Sequence, residues 1–223
     1  MRQTWQPVSS LLANPSDNAT ASCTGKQQFF CWGLRLHHSA LHLSLVGLPG
    51  SGKSTIGRYL ARQLGWDFLD TDHVIEQRLG CSIKAYFSSH GETAFRDMEA
   101  QVLAELLQQP QARVLATGGG AILRPENRQM LRTHSTVFYL QASPEDIARR
   151  LRGDTTRPLM QGEDPLKRLR QLLEVRGVLY QQTAHYVVDT MRQNTAQVAR
   201  KIGMQAEMAG MSIPVGISAA STS

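Results

Sequence analysis

Short apolar runs alternate with amphipathic stretches from residue 41 to about residue 203. Leu41-His42-Leu43-Ser44-Leu45-Val46 reads as a buried strand, and Thr55 to Leu64 as an amphipathic helix after it. Trp66-Asp67-Phe68-Leu69 predicts a second strand, ending in Asp70-Thr71-Asp72, with a helical stretch from His73 to Leu79. Ile83 to Phe87 leads into His90-Gly91-Glu92. From Glu92 to Gln108 the spacing of Phe95, Met98, Val102 and Leu106 marks one buried helical face, and Pro110 helps end that helix. Arg113 to Thr117 and Thr136 to Leu140 are strands three and four. Ser143-Pro144-Glu145-Asp146 opens a helix, with Ser at the N-cap, Pro at the first helical position and an acid at the third. Asp164-Pro165 begins another helix, carrying Leu166, Leu169, Leu173 and Arg176. Tyr186-Val187-Val188 is a short fifth strand, and Thr195 to Ile202 the last helix. Strands that alternate with helices imply an α/β fold, a five-stranded parallel sheet covered on both faces.

Three stretches fall outside this rhythm. Residues 1–40 are rich in Ser, Thr, Gln and Asn, contain Asp17 as their one acid, and are expected to be a disordered extension. That composition fits a Ser-rich transit peptide, which leaves plastid import open, and equally an overextended start of the reading frame. Residues 150–164 are polar, contain Arg157-Pro158-Leu159, and are expected to form a mobile lid. Residues 204–223 are expected to be a frayed tail.

The first strand runs straight into Gly47-Leu48-Pro49-Gly50-Ser51-Gly52-Lys53-Ser54-Thr55. Strand, glycine loop, Lys-Ser and helix together make the P-loop pattern in its required setting. Backbone N–H groups of Gly50, Ser51, Gly52, Lys53, Ser54 and Thr55 turn toward a phosphate chain at the positive end of a helix. Lys53 can reach the β- and γ-phosphates of a nucleotide, and the Ser54 hydroxyl can bind Mg²⁺. A chance glycine turn is the plain alternative, and the strand–helix context argues against it.

Phosphoryl transfer also needs a carboxylate near the metal. The third strand ends in Thr117-Gly118-Gly119-Gly120, without an acid, so the nearest source is the Asp70/Asp72 pair. Asp72 is the candidate for positioning an acceptor hydroxyl and taking its proton; Asp70 is the candidate metal carboxylate. For one of the two, a plain helix-capping role is an equally good reading. Arg96 has Glu99 three residues on, on the same helical face, which can orient the guanidinium but usually means a surface ion pair. Arg176 alone reads equally well as a solvated helix residue.

The chain of 223 residues is 41% hydrophobic, enough for a core, with formal net charge +6 and pI near 9.5. The cations are scattered and aromatic residues make up 6%, so the charge suits polyphosphate and a small anion better than nucleic acid. Cys23, Cys31 and Cys81 form no C-x-x-C pair, which argues against a disulfide framework or zinc site and fits a reducing, cytoplasmic setting. His37, His38 and His42 lack an accompanying carboxylate or cysteine and read as a solvated segment, not a metal site. No apolar stretch is long enough to span a membrane. A monomer is expected.

Taken in order, the P-loop, Asp70-Thr71-Asp72, Gly91-Glu92 with Phe95-Arg96, Gly118-Gly119-Gly120, Arg157-Pro158-Leu159, and Arg176 with Tyr180 resemble the shikimate kinase family across residues 41 to about 203. The resemblance implies a three-layer P-loop kinase fold and ATP-dependent phosphorylation of the 3-hydroxyl of shikimate in aromatic amino acid biosynthesis. It implies that Asp72 holds the acceptor hydroxyl and acts as base, and that Arg96 and Arg176 clamp the shikimate carboxylate beside the Gly118, Gly119 and Gly120 backbone. It further implies that Asp70 reaches Mg²⁺ beside Ser54, and that Lys53 and Arg157 neutralise the transferring phosphoryl group. Asn194 is the candidate adenine contact, and Arg150 or Arg152 a candidate to stack on the base. Val178 stands where the family usually has Pro, for which a structural effect is expected and no loss of clamping. Gluconate or nucleoside monophosphate kinases share the P-loop, size and lid, and a non-catalytic nucleotide-binding regulator is the alternative from another class.

Overall fold

The computed structural model describes residues 42–151 and 164–211. Five parallel strands form one sheet in the order β2-β3-β1-β4-β5: β1 (His42–Val46), β2 (Asp67–Asp70), β3 (Arg113–Ala116), β4 (Ser135–Gln141) and β5 (Tyr186–Asp189). β1 lies at the centre, with Leu43 opposite Val114 on one side and Thr136 on the other. Its five residues are all buried, as a strand covered on both faces requires. The two faces follow from the pleat. Leu43, Leu45, Val114, Phe138 and Leu140 pack against α1 (Lys53–Leu64) and α7 (Thr195–Met208) through Ile56, Leu60, Leu64, Val198 and Ile202. Leu115, Val137 and Tyr139 pack the other way, against α3 (Ile83–Leu107), α4 (Pro125–His134), α5 (Pro144–Leu151) and α6 (Pro165–Thr183). The expected three-layer α/β architecture is therefore the observed one.

Several boundaries differ from the sequence pattern, each for a local reason. α1 starts at Lys53, two residues early, because Gly52 at φ 96° turns the chain directly from the loop into the helix. α2 (Thr71–Leu79) starts at Thr71 because the Asp70 carboxylate caps it, accepting from the Asp72 amide, so Asp72 lies in the first helical turn and not at the strand end. The stretch 83–107 is one long helix interrupted at Gly91, whose φ of 80° and ψ of 175° break the helical path. α4 carried no visible sequence pattern, since its buried residues are only Asn127 and Leu131. α7 runs on to Met208, past the expected end at Ile202 and into the stretch expected to fray. Burial of Ala206 and Met211 against the sheet accounts for the extra turns. His42 is buried at the start of β1, its Nε2 3.0 Å from the Gln109 carbonyl oxygen, and burial holds its pKa below the ordinary value; it belongs to the core, not to a solvated segment. Among the described residues no helix is long and apolar enough to cross a membrane.

Candidate active site

The carboxyl ends of β1, β2 and β3 open on one edge of the sheet, where open α/β folds place their ligands. β1 delivers the P-loop there. Gly47, Gly50 and Gly52 all have positive φ, and the Gly50 α-carbon is roofed so closely by Ile147 and Leu151 that a Cβ would fall 2.8 Å from the Ile147 side chain. Lys53 is nearly buried, and its ammonium donates to the carbonyls of Gly47 and Leu48, both at 2.9 Å. Ser51 is buried within the loop, and Thr55 faces outward on α1.

β2 ends in Asp70 and passes into α2, whose first turn carries Asp72, and the two aspartates divide their tasks. Asp70 Oδ2 accepts from the Ser54 hydroxyl at 2.6 Å while Oδ1 caps α2. The capping role weighed for one aspartate therefore falls to Asp70, in addition to its contact with Ser54. Asp72 is released to face the third element. Burial, then the neighbouring Asp70, push its carboxyl up to about 6, against the pull of Lys53. Those neighbours fit a proton acceptor that is ionised near neutral pH.

β3 delivers Gly118-Gly119-Gly120, which ties the remaining residues together. Gly118 N donates to the Thr71 hydroxyl at 3.0 Å, and a methyl group on Gly118 would sit 2.5 Å from Asp72 Oδ1 and 3.0 Å from Glu99 Oε1. The Gly119 carbonyl accepts from Arg176 Nη1 at 3.0 Å and from the Tyr180 hydroxyl at 2.6 Å, while its α-carbon faces Pro49 of the P-loop. Gly120 lies against the guanidinium of Arg96, leaving no room for a side chain. Three consecutive glycines thus bring Asp72, Arg96, Arg176 and the phosphate loop around one point.

Arg96 projects from α3. It donates through Nη1 to Glu99 at 2.7 Å and through Nε and Nη2 to Glu92 at 3.3 and 3.1 Å. The ion pair with Glu99 is no surface ornament, since Glu99 is 2% exposed and Arg96 14%. Burial pushes the Glu99 carboxyl up, and Arg96, Arg176 and Arg124 pull it back. Burial likewise opposes the charge on Arg96, and Glu99 and Glu92 outweigh it, holding its pKa above the ordinary value. Phe95 and Phe87 rings stand 5.2 and 6.0 Å from Arg96 Cζ. Tyr180 is fully buried, and burial sends its hydroxyl up to about 12, so it remains a donor to Gly119 at any working pH. Val178 is exposed on an unbroken α6, two residues from an Arg176 that holds its contact.

At the other end of the sheet edge, Arg150 Nη2 donates to the Thr190 carbonyl at 2.9 Å. Asn194 caps α7, its Oδ1 accepting from Gln197 N in a reciprocal capping box. Arg157 and Arg152 lie outside the described residues. The sequence singles out Asp72, Arg96 and Arg176, which the structure brings to the glycine turn, but not Thr71, Pro49 or Glu92 as their partners. The glutamate alone had a signal, its i,i+4 spacing from Arg96.

Among the described residues no three His, Cys, Asp or Glu side chains converge on a metal position. That is compatible with Mg²⁺, which needs few protein ligands and is completed by phosphates and water. The Ser54–Asp70 pair supplies hard oxygen atoms of the right kind beside the loop.

The fold and this edge define a P-loop kinase, with a phosphate loop, a paired hydroxyl and carboxylate, and beside them a cluster of acid and guanidinium groups. The family model for shikimate kinase matches residues 49–207, and the chain belongs to the shikimate kinase family. A shikimate kinase of Paracidovorax citrulli (strain AAC00-1) is 53% identical over 178 residues, covering 78% of this chain and 96% of that protein. One from Burkholderia thailandensis is 48% identical over 171 residues, covering 77% and 92%. Among solved structures, the shikimate kinase from Acinetobacter baumannii in complex with shikimate superposes with a TM-score of 0.71 at 42% identity, covering 78% of this chain and 96% of that one. These relatives are bacterial and lend plastid import no support.

Proposed function

We propose that the protein transfers the γ-phosphoryl group of ATP to the 3-hydroxyl of shikimate, giving shikimate 3-phosphate and ADP. The observation that carries this reading is the glycine turn. Its three residues lie against Asp72, Arg96, Arg176 and the P-loop, the groups that a small ring with a hydroxyl at one end and a carboxylate at the other needs as base and clamp. Arg96 and Arg176 offer forked donors to that carboxylate. Asp72 takes the hydroxyl proton as the oxygen attacks the γ-phosphorus, and the bond to the β-phosphate oxygen breaks to release ADP. Lys53 exchanges the Gly47 and Leu48 carbonyls for phosphate oxygens and offsets their charge. Ser54 and Asp70 would hold Mg²⁺, which supplies charge neutralisation of the phosphates. Arg157, carried over from the family likeness, adds charge opposite the transferring phosphoryl group, and Asn194 or Arg150 borders the adenine. No nucleic acid, membrane or protein partner enters the reaction.

A coupled ADP-release assay with shikimate, gluconate and AMP as acceptors tests the reading. ADP release should depend on shikimate. Faster release with gluconate or AMP, or release indifferent to all three, overturns it.

A further inference from the structure

We infer that Glu92 is an internal stand-in for the substrate's carboxylate, holding the Nε–Nη2 edge of Arg96 until the acid displaces it. This rests on the reading of Arg96 as half of a carboxylate clamp. A guanidinium offers two bidentate edges alongside its faces. The Nη1–Nη2 edge of Arg96 lies against the Gly120 α-carbon, and Nη1 is already engaged by the deeply buried Glu99. Phe95 and Phe87 crowd the group as well. The edge that remains for a two-bond contact is Nε–Nη2, which Glu92 now occupies.

The occupancy is of a kind that yields. One oxygen, Oε1, serves both donors, at 3.3 and 3.1 Å, against 2.7 Å for the Glu99 bond. The Glu92 side chain is 65% exposed, so it moves into water by rotation alone. It is also the first residue past the break at Gly91, at the start of a helical run, where the positive end of the backbone dipole favours a free carboxylate. Charge points the same way. Arg96 is already paired with both Glu92 and Glu99, and Arg176 and Arg124 act on Glu99, Arg124 being itself paired with Asp97. A further carboxylate at Arg96 is accommodated when the exposed one departs. A ligand without an anionic group gains nothing by displacing it.

The test is the shikimate KM of Glu92→Ala and Glu92→Gln, with the ATP KM and the methyl ester of shikimate as a neutral acceptor. Removing the competitor should lower the shikimate KM about two- to five-fold, the scale of a partly exposed ion pair. Glu92→Gln, which keeps an oxygen acceptor without its charge, should give a smaller decrease. The ester should show no gain, and the ATP KM no change. A higher or unchanged shikimate KM in both variants overturns the inference and makes Glu92 an orienting group or a bystander. Should Glu92→Ala melt at a lower temperature, Glu92→Gln decides. A wild-type protein that fails to phosphorylate shikimate refutes the proposed activity instead, a separate outcome.

Discussion

Burial beside Asp70 should make the Asp72 charge costly to the folded protein, and removing that charge should reveal the cost. The perturbation is Asp72→Asn, studied without nucleotide and in the presence of a chelator. Burial and the adjacent Asp70 raise the folded carboxyl from 3.8 to about 6. At about 1.4 kcal/mol per pH unit, the ionised form is about 3 kcal/mol less welcome in the folded than in the unfolded chain. The asparagine keeps the shape but must still satisfy its amide, which lowers the expected gain to about 1–3 kcal/mol. In a domain of this size that corresponds to a rise in Tm of roughly 3–10 °C. The sign follows from linkage. A raised folded pKa contributes stability below the unfolded pKa, and that contribution is lost as pH rises through the folded value. The advantage of the variant should therefore be full at pH 8 and about a third of that at pH 4.5. Thermal melts at those two pH values measure it, and kcat in the same preparation should fall about 10²- to 10⁴-fold. A variant no more stable than wild type at pH 8, or equally favoured at both pH values, refutes the account of Asp72 as a strained, desolvated base.

Lys53→Met should lower kcat at least about 100-fold while the far-UV spectrum keeps its helix–strand signature, because its ammonium donates to the Gly47 and Leu48 carbonyls inside the phosphate loop. Near-normal turnover would remove it from the reaction. Arg96→Ala and Arg176→Ala should each raise the shikimate KM about ten-fold or more and leave the ATP KM within a factor of about two; an unchanged shikimate KM in both dissolves the clamp. Gly118→Ala should lower kcat more than it lowers Tm, since the added methyl meets Asp72 and Glu99 oxygens and the backbone there needs no left-handed conformation. Wild-type kcat in that variant means Asp72 is not confined by the turn.

The sheet was legible because its strands are short apolar runs with no competing period, and the P-loop because its glycines, Lys53 and Ser54 are contiguous. Asp72, Arg96 and Arg176 were legible only as a set; each alone has an ordinary explanation, and 104 residues of chain separate the first from the last. What could not be read were the contacts made across that distance. Glycines at 118, 119 and 120 announce a tight turn, but nothing in their identity says that Thr71 caps one amide or that Tyr180 and Arg176 share one carbonyl. α4 escaped notice because Arg124 to His134 is polar nearly all round, and its place is fixed by Leu131 and by Asn127 bonding to the Ala121 carbonyl. The end of α7 was missed because alanines and methionines carry little periodic contrast, although Ala206 is wholly buried.

Gly119 stands between the phosphate loop and the proposed carboxylate clamp by the thickness of one residue: Pro49 leans on its α-carbon, and Arg176 and Tyr180 hang from its oxygen. A party wall of that kind makes the two compartments mechanically answerable to each other. If nucleotide shifts Pro49, Gly119 carries that shift to Arg176, so the acid's affinity should depend on whether nucleotide is already seated, and by thermodynamic reciprocity the nucleotide's affinity should depend to the same degree on the acid.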